Sequence, residues 1–198
     1  MKTEPGPRWR GVNHLALVTD DMDNTVRFYV GVLGARLSAT IGTPTFRHYF
    51  FEIGQGNTLA FFEYTGVELQ PFSKPAGVPH PQASQFDHLS LDLVDEDALV
   101  DLRERLKRAN CEVTDVVDHG IIHSIYFNDP NGIALEASWW VRDPTGQAEL
   151  SLDDPRLFAD PNPVPAIAEL KAGGLKRVPH TKLSDGYTTN PDDWIAPA

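Results

Sequence analysis

The sequence predicts an α+β fold built from two tandem βαβββ modules that are followed by a proline-rich arm. Residues 11–20 and 86–94 each place a histidine ahead of alternating leucines, which is the period-2 pattern of a strand. Each of these segments leads into a stretch of helical periodicity. Strand-like runs around a glycine turn come next, and each set ends in a glutamate. The repeated order indicates an internal duplication with a period of about 74 residues.

The strand that opens each module has one leucine face and one histidine face. Successive side chains of a strand point to opposite sides, so His14 and His88 are separated from the neighbouring leucines. The leucine faces consist of Leu15 and Leu17 in the first copy and of Leu89, Leu91 and Leu93 in the second. We expect helices to cover the leucine faces and the histidines to face a cavity.

A helix is predicted after each opening strand. Asp20 or Asp21 can cap the first helix, and Asp95 or Asp97 the second. The apolar stripe consists of Met22, Val26, Tyr29 and Leu33 in the first helix and of Leu99, Leu102 and Leu106 in the second. Gly34 is positioned to end the first helix.

Composition narrows the class of function. A net charge of −11 over 198 residues argues against a basic nucleic-acid surface and disfavours docking on anionic membranes. The only cysteine, Cys111, permits no intrachain disulfide, and no apolar run reaches the length of a signal peptide or a membrane span. We therefore expect a cytoplasmic protein that acts on a small molecule.

The pattern predicts five segments along the chain. They are an N-terminal extension over 1–10, a first module over 11–66, a linker over 67–85, a second module over 86–141 and an arm over 142–198. The arm holds eight of the sixteen prolines and a possible short helix near 164–171. An extended arm that packs on the domain or on a partner subunit is the favoured interpretation, and disorder is the alternative.

Four side chains at matched positions suggest a divalent metal. His14, His88, Glu63 and Glu136 lie in otherwise apolar strands, where an unpartnered carboxylate or imidazole is costly to bury. A cation removes that cost because it neutralises the carboxylates and accepts the imidazole lone pairs. Any one of these residues alone would more commonly be a polar residue satisfied by its neighbours.

With these motifs, residues 11–140 resemble the vicinal oxygen chelate superfamily. The resemblance implies that the sheets curl as a half-barrel around a metal held by His14, Glu63, His88 and Glu136. It also implies a Lewis-acid role for the metal toward a substrate that binds through adjacent oxygens. The superfamily includes glyoxalase I, methylmalonyl-CoA epimerase, fosfomycin-resistance proteins and extradiol dioxygenases, and fold alone does not choose among them.

The second module resembles the single-domain type I extradiol dioxygenases in particular. The resemblance is carried by residues 117–119 and by the phrase at 125–136, which contains Asp129-Pro130-Asn131-Gly132. It implies that His14, His88 and Glu136 bind Fe(II) and that the substrate is a catechol-like diol. It further implies that His119 lies near the substrate oxygens and that Tyr126 hydrogen-bonds one of them.

Glu63 fits the glyoxalase-like pattern of this superfamily rather than the dioxygenase pattern. The dioxygenases place an acid/base histidine in the first module, and His48 is the candidate replacement here. Two histidines and two glutamates are instead the glyoxalase-like set, which suits Ni, Zn, Co or Mn and isomerase or lyase chemistry. A third alternative is a metal-free protein that sequesters a flat ligand. We expect a homodimer, with the cavity closed either within one chain or by modules exchanged between two chains.

Overall fold

Eight strands form two four-stranded sheets in the computed structural model, which describes residues 11–70, 72–79, 86–145 and 151–175. Within those residues neither sheet closes into a barrel. The chain divides into two compact units, one over 10–143 and the other over 1–9 with 144–198. The predicted α+β class with two βαβββ modules is confirmed, and all eight strands belong to the first of these units.

The first sheet has the strand order β1-β4-β3-β2. The strands span β1 His14–Val18, β2 Arg36–Gly42, β3 Phe46–Gly54 and β4 Asn57–Tyr64. β1 runs parallel to β4, whereas the other neighbouring pairs are antiparallel. The parallel pair requires a crossover connection, which the helix after β1 and the β2–β3 hairpin supply.

The second sheet repeats this arrangement in the order β5-β8-β7-β6. Its strands span β5 Leu89–Asp92, β6 Val117–Asp118, β7 Ile122–Asn128 and β8 Ala134–Trp140. β5 is parallel to β8, and the other two pairs are antiparallel. The duplication read from the sequence is therefore a duplication of sheet topology.

The first crossover is a short α-helix that widens into a π-helix. α1 covers Met22–Val26 and is capped by the Asp21 side chain, which accepts the Asn24 backbone N–H. The π-helical segment covers Arg27–Val32. Because a π-helical turn is wider than an α-helical one, the buried positions depart from the predicted helical spacing, and Phe28 and Tyr29 are both buried.

The second crossover follows the predicted pattern. α2 covers Glu96–Arg108, and the Asp95 side chain accepts the backbone N–H of Ala98 at 2.8 Å. Leu99 and Leu106 are fully buried, and Leu102 packs beside them. Acidic residues in the first turn and basic residues in the last complement the helix dipole.

A single hydrophobic core receives both leucine faces. Leu15 and Leu17 of β1 and Leu89 and Leu91 of β5 pack against the same buried cluster. That cluster contains residues from both modules, with Tyr29, Phe51, Phe61, Leu99, Leu106, Ile125 and Leu135 almost fully buried. Since both leucine faces turn toward one core, both histidine faces turn away from it.

A buried polar network also joins the modules. The Tyr29 hydroxyl donates to Asp129 Oδ2 at 3.2 Å, across from the first module to the β7–β8 turn. Asn131 donates through Nδ2 to Thr25 Oγ1, and its Oδ1 accepts from Thr19 Oγ1. Asp129 also accepts the backbone N–H groups of Asn131 and Ile133, so the Asp-Pro-Asn-Gly turn shapes the hairpin and anchors α1.

The second compact unit contains a short helix among its described residues. α3 covers Pro165–Lys171 and has a proline in its first turn, where no backbone N–H is needed. Lys171 pairs with Asp153 at 2.5 Å. None of the helices in the described part of the chain is both long enough and apolar enough to cross a bilayer.

Candidate functional site

The central pair of the candidate site is His88, which immediately precedes β5, and Glu136 of the neighbouring parallel strand β8. Ser90, two positions after His88, pairs with Glu136, so all three side chains lie on one face of the second sheet. His88 Nε2 lies 2.9 Å from Glu136 Oε2. The Glu136 side chain is only 10% exposed, which places an acidic group in a largely apolar strand with an imidazole beside it.

Tyr126 and His119 extend this pair along the same face. Tyr126 of β7 is the cross-strand partner of Glu136, and its ring centroid lies 6.4 Å from that of His88. The Tyr126 hydroxyl and His119 Nε2 are 2.8 Å apart. Burial, and then the charge of Glu136, raises the pKa of Tyr126, so its phenol remains a proton donor at neutral pH.

The other ring nitrogen of His88 is held by the preceding residue. His88 Nδ1 lies 2.6 Å from Asp87 Oδ1. Asp87 Oδ2 accepts from Lys74 Nζ at 2.5 Å, and Asp87 Oδ1 also accepts the Gly77 backbone N–H. Lys74 first, and then His88, holds the pKa of Asp87 well below its usual range.

His14 stands at the corresponding position of the first module, in aromatic surroundings. Its Nδ1 lies 2.7 Å from Oδ1 of Asn13, the residue before it. The His14 ring contacts Phe50 edge-on, with centroids 5.7 Å apart, and lies 6.4 Å from the ring of His48. The histidine face of the first sheet therefore presents two imidazoles, His14 and His48, among aromatic rings, whereas the second presents an imidazole and a carboxylate.

His48 lies within that aromatic face as a neutral base. Its ring stacks on Phe62 with centroids 3.5 Å apart, and Phe50 covers it at 4.3 Å. Only 8% of the residue is exposed, and its Nε2 has no hydrogen-bond partner in the described structure. Burial, and then the neighbouring His14, lowers the pKa of His48, which keeps the ring uncharged.

The structure does not bring Glu63 to His14, and the expectation of a matched fourth ligand is corrected here. His14 pairs with Thr58, so the histidine face of β4 carries Thr58, Ala60 and Phe62, and Glu63 points to the opposite side. There Glu63 forms an ion pair with Arg47 and accepts the Met22 backbone N–H at the start of α1, at 3.3 Å.

Ala60 occupies the position in the first module that Glu136 holds in the second. Ala16, two residues after His14, pairs with Ala60, just as Ser90, two residues after His88, pairs with Glu136. The spacing from histidine to glutamate differs by one residue between the copies, and one residue reverses the face of a strand. The leucine before each position, Leu59 and Leu135, is the sequence signal that would have given the correct alignment.

The donors that the structure brings together fit part of a metal site. His88 and Glu136 provide an imidazole and a carboxylate close together on one face, a pair that suits Fe(II), Zn or Ni. His14 lies on the other sheet. In the described residues no three histidine, cysteine or acidic side chains have the mutual spacing to hold a metal ion. The three-donor set of His14, His88 and Glu136 is thus divided between the two modules.

Sequence reasoning missed Asp87 and Lys74. The signal was present, because the residue before each strand histidine, Asn13 or Asp87, carries a side-chain oxygen. Lys74 could not be found in this way, since it reaches Asp87 from the linker between the modules.

Comparison with known proteins identifies the family to which this chain belongs. The family model for the Glyoxalase/Bleomycin resistance protein/Dioxygenase superfamily matches residues 11–137. A glyoxylase/bleomycin resistance protein/dioxygenase domain from Frankia sp. EAN1pec is 25% identical over 67% of this chain and 98% of its own, with a TM-score of 0.57.

Two further solved structures share the fold. A glyoxalase family protein from Enterococcus faecalis is 20% identical, covering 66% of this chain and 98% of its own, with a TM-score of 0.51. Lactoylglutathione lyase from Agrobacterium tumefaciens is 20% identical, covering 67% of this chain and 96% of its own, with a TM-score of 0.50. At these identities the similarity establishes the arrangement of the two modules and leaves the chemistry to the side chains.

Proposed function

Because the chain belongs to the Glyoxalase/Bleomycin resistance protein/Dioxygenase superfamily, we propose that it is a metal-dependent dioxygenase of the extradiol type. Its substrate is a catechol-like aromatic diol. The observation that carries this proposal is the adjacency of His88 and Glu136, 2.9 Å apart, with the Tyr126–His119 pair on the same face. In this proposal the first pair binds the metal and the second donates protons.

Fe(II) is the metal that the donor set favours. His88, Glu136 and His14 make the combination of two imidazoles and one carboxylate that non-haem iron oxygenases use. When bound, Fe(II) supplies both Lewis-acid activation of the diol and the redox chemistry that cleavage by dioxygen requires. The absence of a carboxylate at Ala60 supports a three-residue set, which leaves coordination positions for the diol and for dioxygen.

Tyr126 and His119 handle protons at the substrate. The Tyr126 hydroxyl donates a hydrogen bond to a diol oxygen, and His119, 2.8 Å from that hydroxyl, holds or returns the proton. His48 is the candidate base of the first module. Its uncharged ring and unpartnered Nε2 support a role in accepting a proton from the diol or a hydrogen bond from the ligand.

The aromatic face of the first sheet supports a ring-shaped ligand. Phe50, Phe62 and His48 lie on the same side as His14, with the His48 ring stacked on Phe62 and tilted against Phe50. An aromatic ring placed against them would gain offset-stacking or edge-to-face contacts, each of which contributes about 0.5–1.5 kcal/mol beyond the burial of area.

The complete site belongs to a homodimer in this proposal. Both leucine faces are buried in one core, and His14, Ala16 and Val18 on the histidine side of β1 are exposed. Pairing two chains would bring His14 of one chain to His88 and Glu136 of the other, as a two-fold symmetric arrangement allows. The pair of sites would then be equivalent.

The test is oxygen uptake by protein loaded with Fe(II) under anaerobic conditions and then supplied with a panel of catechols. We expect oxygen consumption that depends on the diol, together with a coloured ring-fission product. Activity with Ni(II) or Mn(II) and no oxygen uptake would instead assign a glyoxalase-like isomerase or lyase. Failure to bind stoichiometric metal, with no metal-induced rise in melting temperature, would favour ligand sequestration.

A further inference from the structure

We propose that Asp87 and Lys74 act together as a positioning pair that fixes the ring orientation and tautomer of His88 for metal binding. This inference rests on the metal site proposed above and extends it to residues outside the ligand set. The chain of contacts runs from the linker between the modules, through Asp87, to the imidazole that faces Glu136.

Each ring nitrogen of His88 faces one carboxylate, and Nε2 is the nitrogen on the side of the other proposed ligand, Glu136. Nδ1 is within hydrogen-bond distance of Asp87 Oδ1 at 2.6 Å, and a carboxylate there can only accept. Glu136 Oε2, 2.9 Å from Nε2, is also only an acceptor, so the two carboxylates compete for the ring proton. A cation bound beside Glu136 would need the lone pair of Nε2, and the ring proton would then lie on Nδ1, where Asp87 accepts it. A carboxylate that accepts from the far nitrogen also raises the basicity of a metal-binding histidine.

The burial of Lys74 indicates that Asp87 is held in place by a specific contact. The Lys74 side chain is only 6% exposed, and its Nζ reaches Asp87 Oδ2 at 2.5 Å and the carbonyl oxygen of Pro75 at 3.2 Å. Removing an ammonium group from water is costly, so an apolar residue would anchor the linker at lower cost. With one oxygen bound by Lys74, the other oxygen of Asp87 is directed to His88.

The first module has a weaker version of the same device. Asn13 occupies the position of Asp87, and its Oδ1 lies 2.7 Å from His14 Nδ1. An amide oxygen carries no full charge, so the hydrogen bond it accepts is weaker than the charge-assisted one at His88. His88 is therefore the more strongly oriented of the two histidines.

The experiment measures metal affinity on the full-length protein in Asp87→Ala, Asp87→Asn and Lys74→Met variants. Mn(II) binding is followed by competition with a chromophoric chelator, and Co(II) loading by its visible absorption spectrum. We expect Asp87→Ala to weaken Mn(II) binding about 10- to 100-fold and to alter the Co(II) spectrum. Asp87→Asn keeps an uncharged acceptor and should weaken Mn(II) binding less than Asp87→Ala does. We expect Lys74→Met to weaken Mn(II) binding about as much as Asp87→Asn.

Asp115→Asn is the matched control. Asp115 also forms an ion pair with a basic side chain, Arg103, but its own side chain is 92% exposed and it contacts none of the proposed ligands. We expect its Mn(II) affinity and Co(II) spectrum to equal those of the wild type. The melting temperature of each metal-free variant is recorded as well, so that loss of folding is separated from loss of binding.

Two results separate this inference from the metal site on which it depends. A wild-type protein that binds neither Mn(II) nor Co(II) overturns the metal site and the positioning role together. A wild type that binds metal, alongside Asp87 variants that bind equally well with unchanged Co(II) spectra, overturns the positioning role alone. In that case a lower melting temperature would mean that the pair merely anchors the linker. If Asp87→Ala does not fold, Asp87→Asn and Lys74→Met decide between the same outcomes.

Discussion

His88 Nε2 and Glu136 Oε2 lie 2.9 Å apart although 48 positions separate the two residues in sequence. The parallel pairing of β5 with β8 creates this contact, because it sets both side chains on one face of the second sheet. Each group offsets part of the cost of burying the other. Both residues belong to the second module, so this contact forms without a side chain from the first.

Removing either member of this pair should abolish metal binding. We expect His88→Ala and Glu136→Gln to lose bound metal, measured as metal per chain after dialysis, and to lose activity with it. Glu63→Gln is the matched control because Glu63 lies on the opposite face, paired with Arg47. It should keep its metal and lose only about 0.5–1 kcal/mol of stability through the ion pair and the start of α1. Loss of metal in Glu63→Gln would contradict the corrected register.

Tyr126→Phe should affect turnover more than metal content. The variant removes the hydroxyl that lies 2.8 Å from His119 Nε2, and with it a proton donor at the substrate. We expect kcat for the diol to fall about 100-fold with little change in metal affinity, as measured by oxygen uptake and by metal analysis. Tyr49→Phe, on the core side of the first sheet, serves as the control. An unchanged kcat in Tyr126→Phe would remove Tyr126 from the mechanism.

A site shared between two chains predicts complementation. His14→Ala and His88→Ala homodimers should each be inactive, whereas a mixed dimer contains one site with both histidines intact. After subunit exchange, a 1:1 mixture should recover about a quarter of wild-type activity, since half of the dimers are mixed and each has one working site. Failure to recover activity, although mass spectrometry shows that mixed dimers form, would place His14 and His88 of one chain in the same site.

Asp129 should make stability depend on pH in a specific direction. Burial raises the pKa of this carboxyl in the folded protein. Between the ordinary aspartate value and the raised one, the folded chain binds more protons than the unfolded chain, so the free energy of unfolding falls as pH increases. Asp129→Asn lacks this effect.

Urea unfolding of both proteins at several pH values above 4 provides the measurement. The stability advantage of wild type over Asp129→Asn should be largest at the acidic end and should shrink as the pH rises through the window. An advantage that grows with pH would show that the hydrogen bonds from Tyr29, Asn131 and Ile133 outweigh burial at this carboxyl.

Much of the fold could be predicted from the sequence because its signals are local. The alternating leucines of β1 and β5, the Asp95 cap of α2 and its leucine stripe all depend on neighbours within a few positions. The π-helical turn over Arg27–Val32 was not foreseen, since packing of Phe28 and Tyr29 into the shared core selects it over a regular α-helix. Propensity alone does not encode that choice.

The candidate site was predictable only where strand pairing did not matter. Residue type and repeat position suggest His14, His88 and Glu136 as ligands, and the structure brings the last two together. Placing Glu63 required the register of β1 against β4. A register error of one residue moves a side chain to the opposite face of the sheet. The Lys74–Asp87 contact required the path of the linker, which sequence periodicity does not describe.

The two histidine faces have diverged into unlike surfaces on a common scaffold. The second sheet carries the carboxylate and the phenol, while the first carries Ala60 and a stack of rings around His48. Phe50 lies edge-on to His14 and Phe62 stacks on His48, so a substitution at either position would change the shape of the proposed ligand site together with the surroundings of a proposed site residue. A library confined to those two positions would show how closely ligand preference and reactivity are linked on this face.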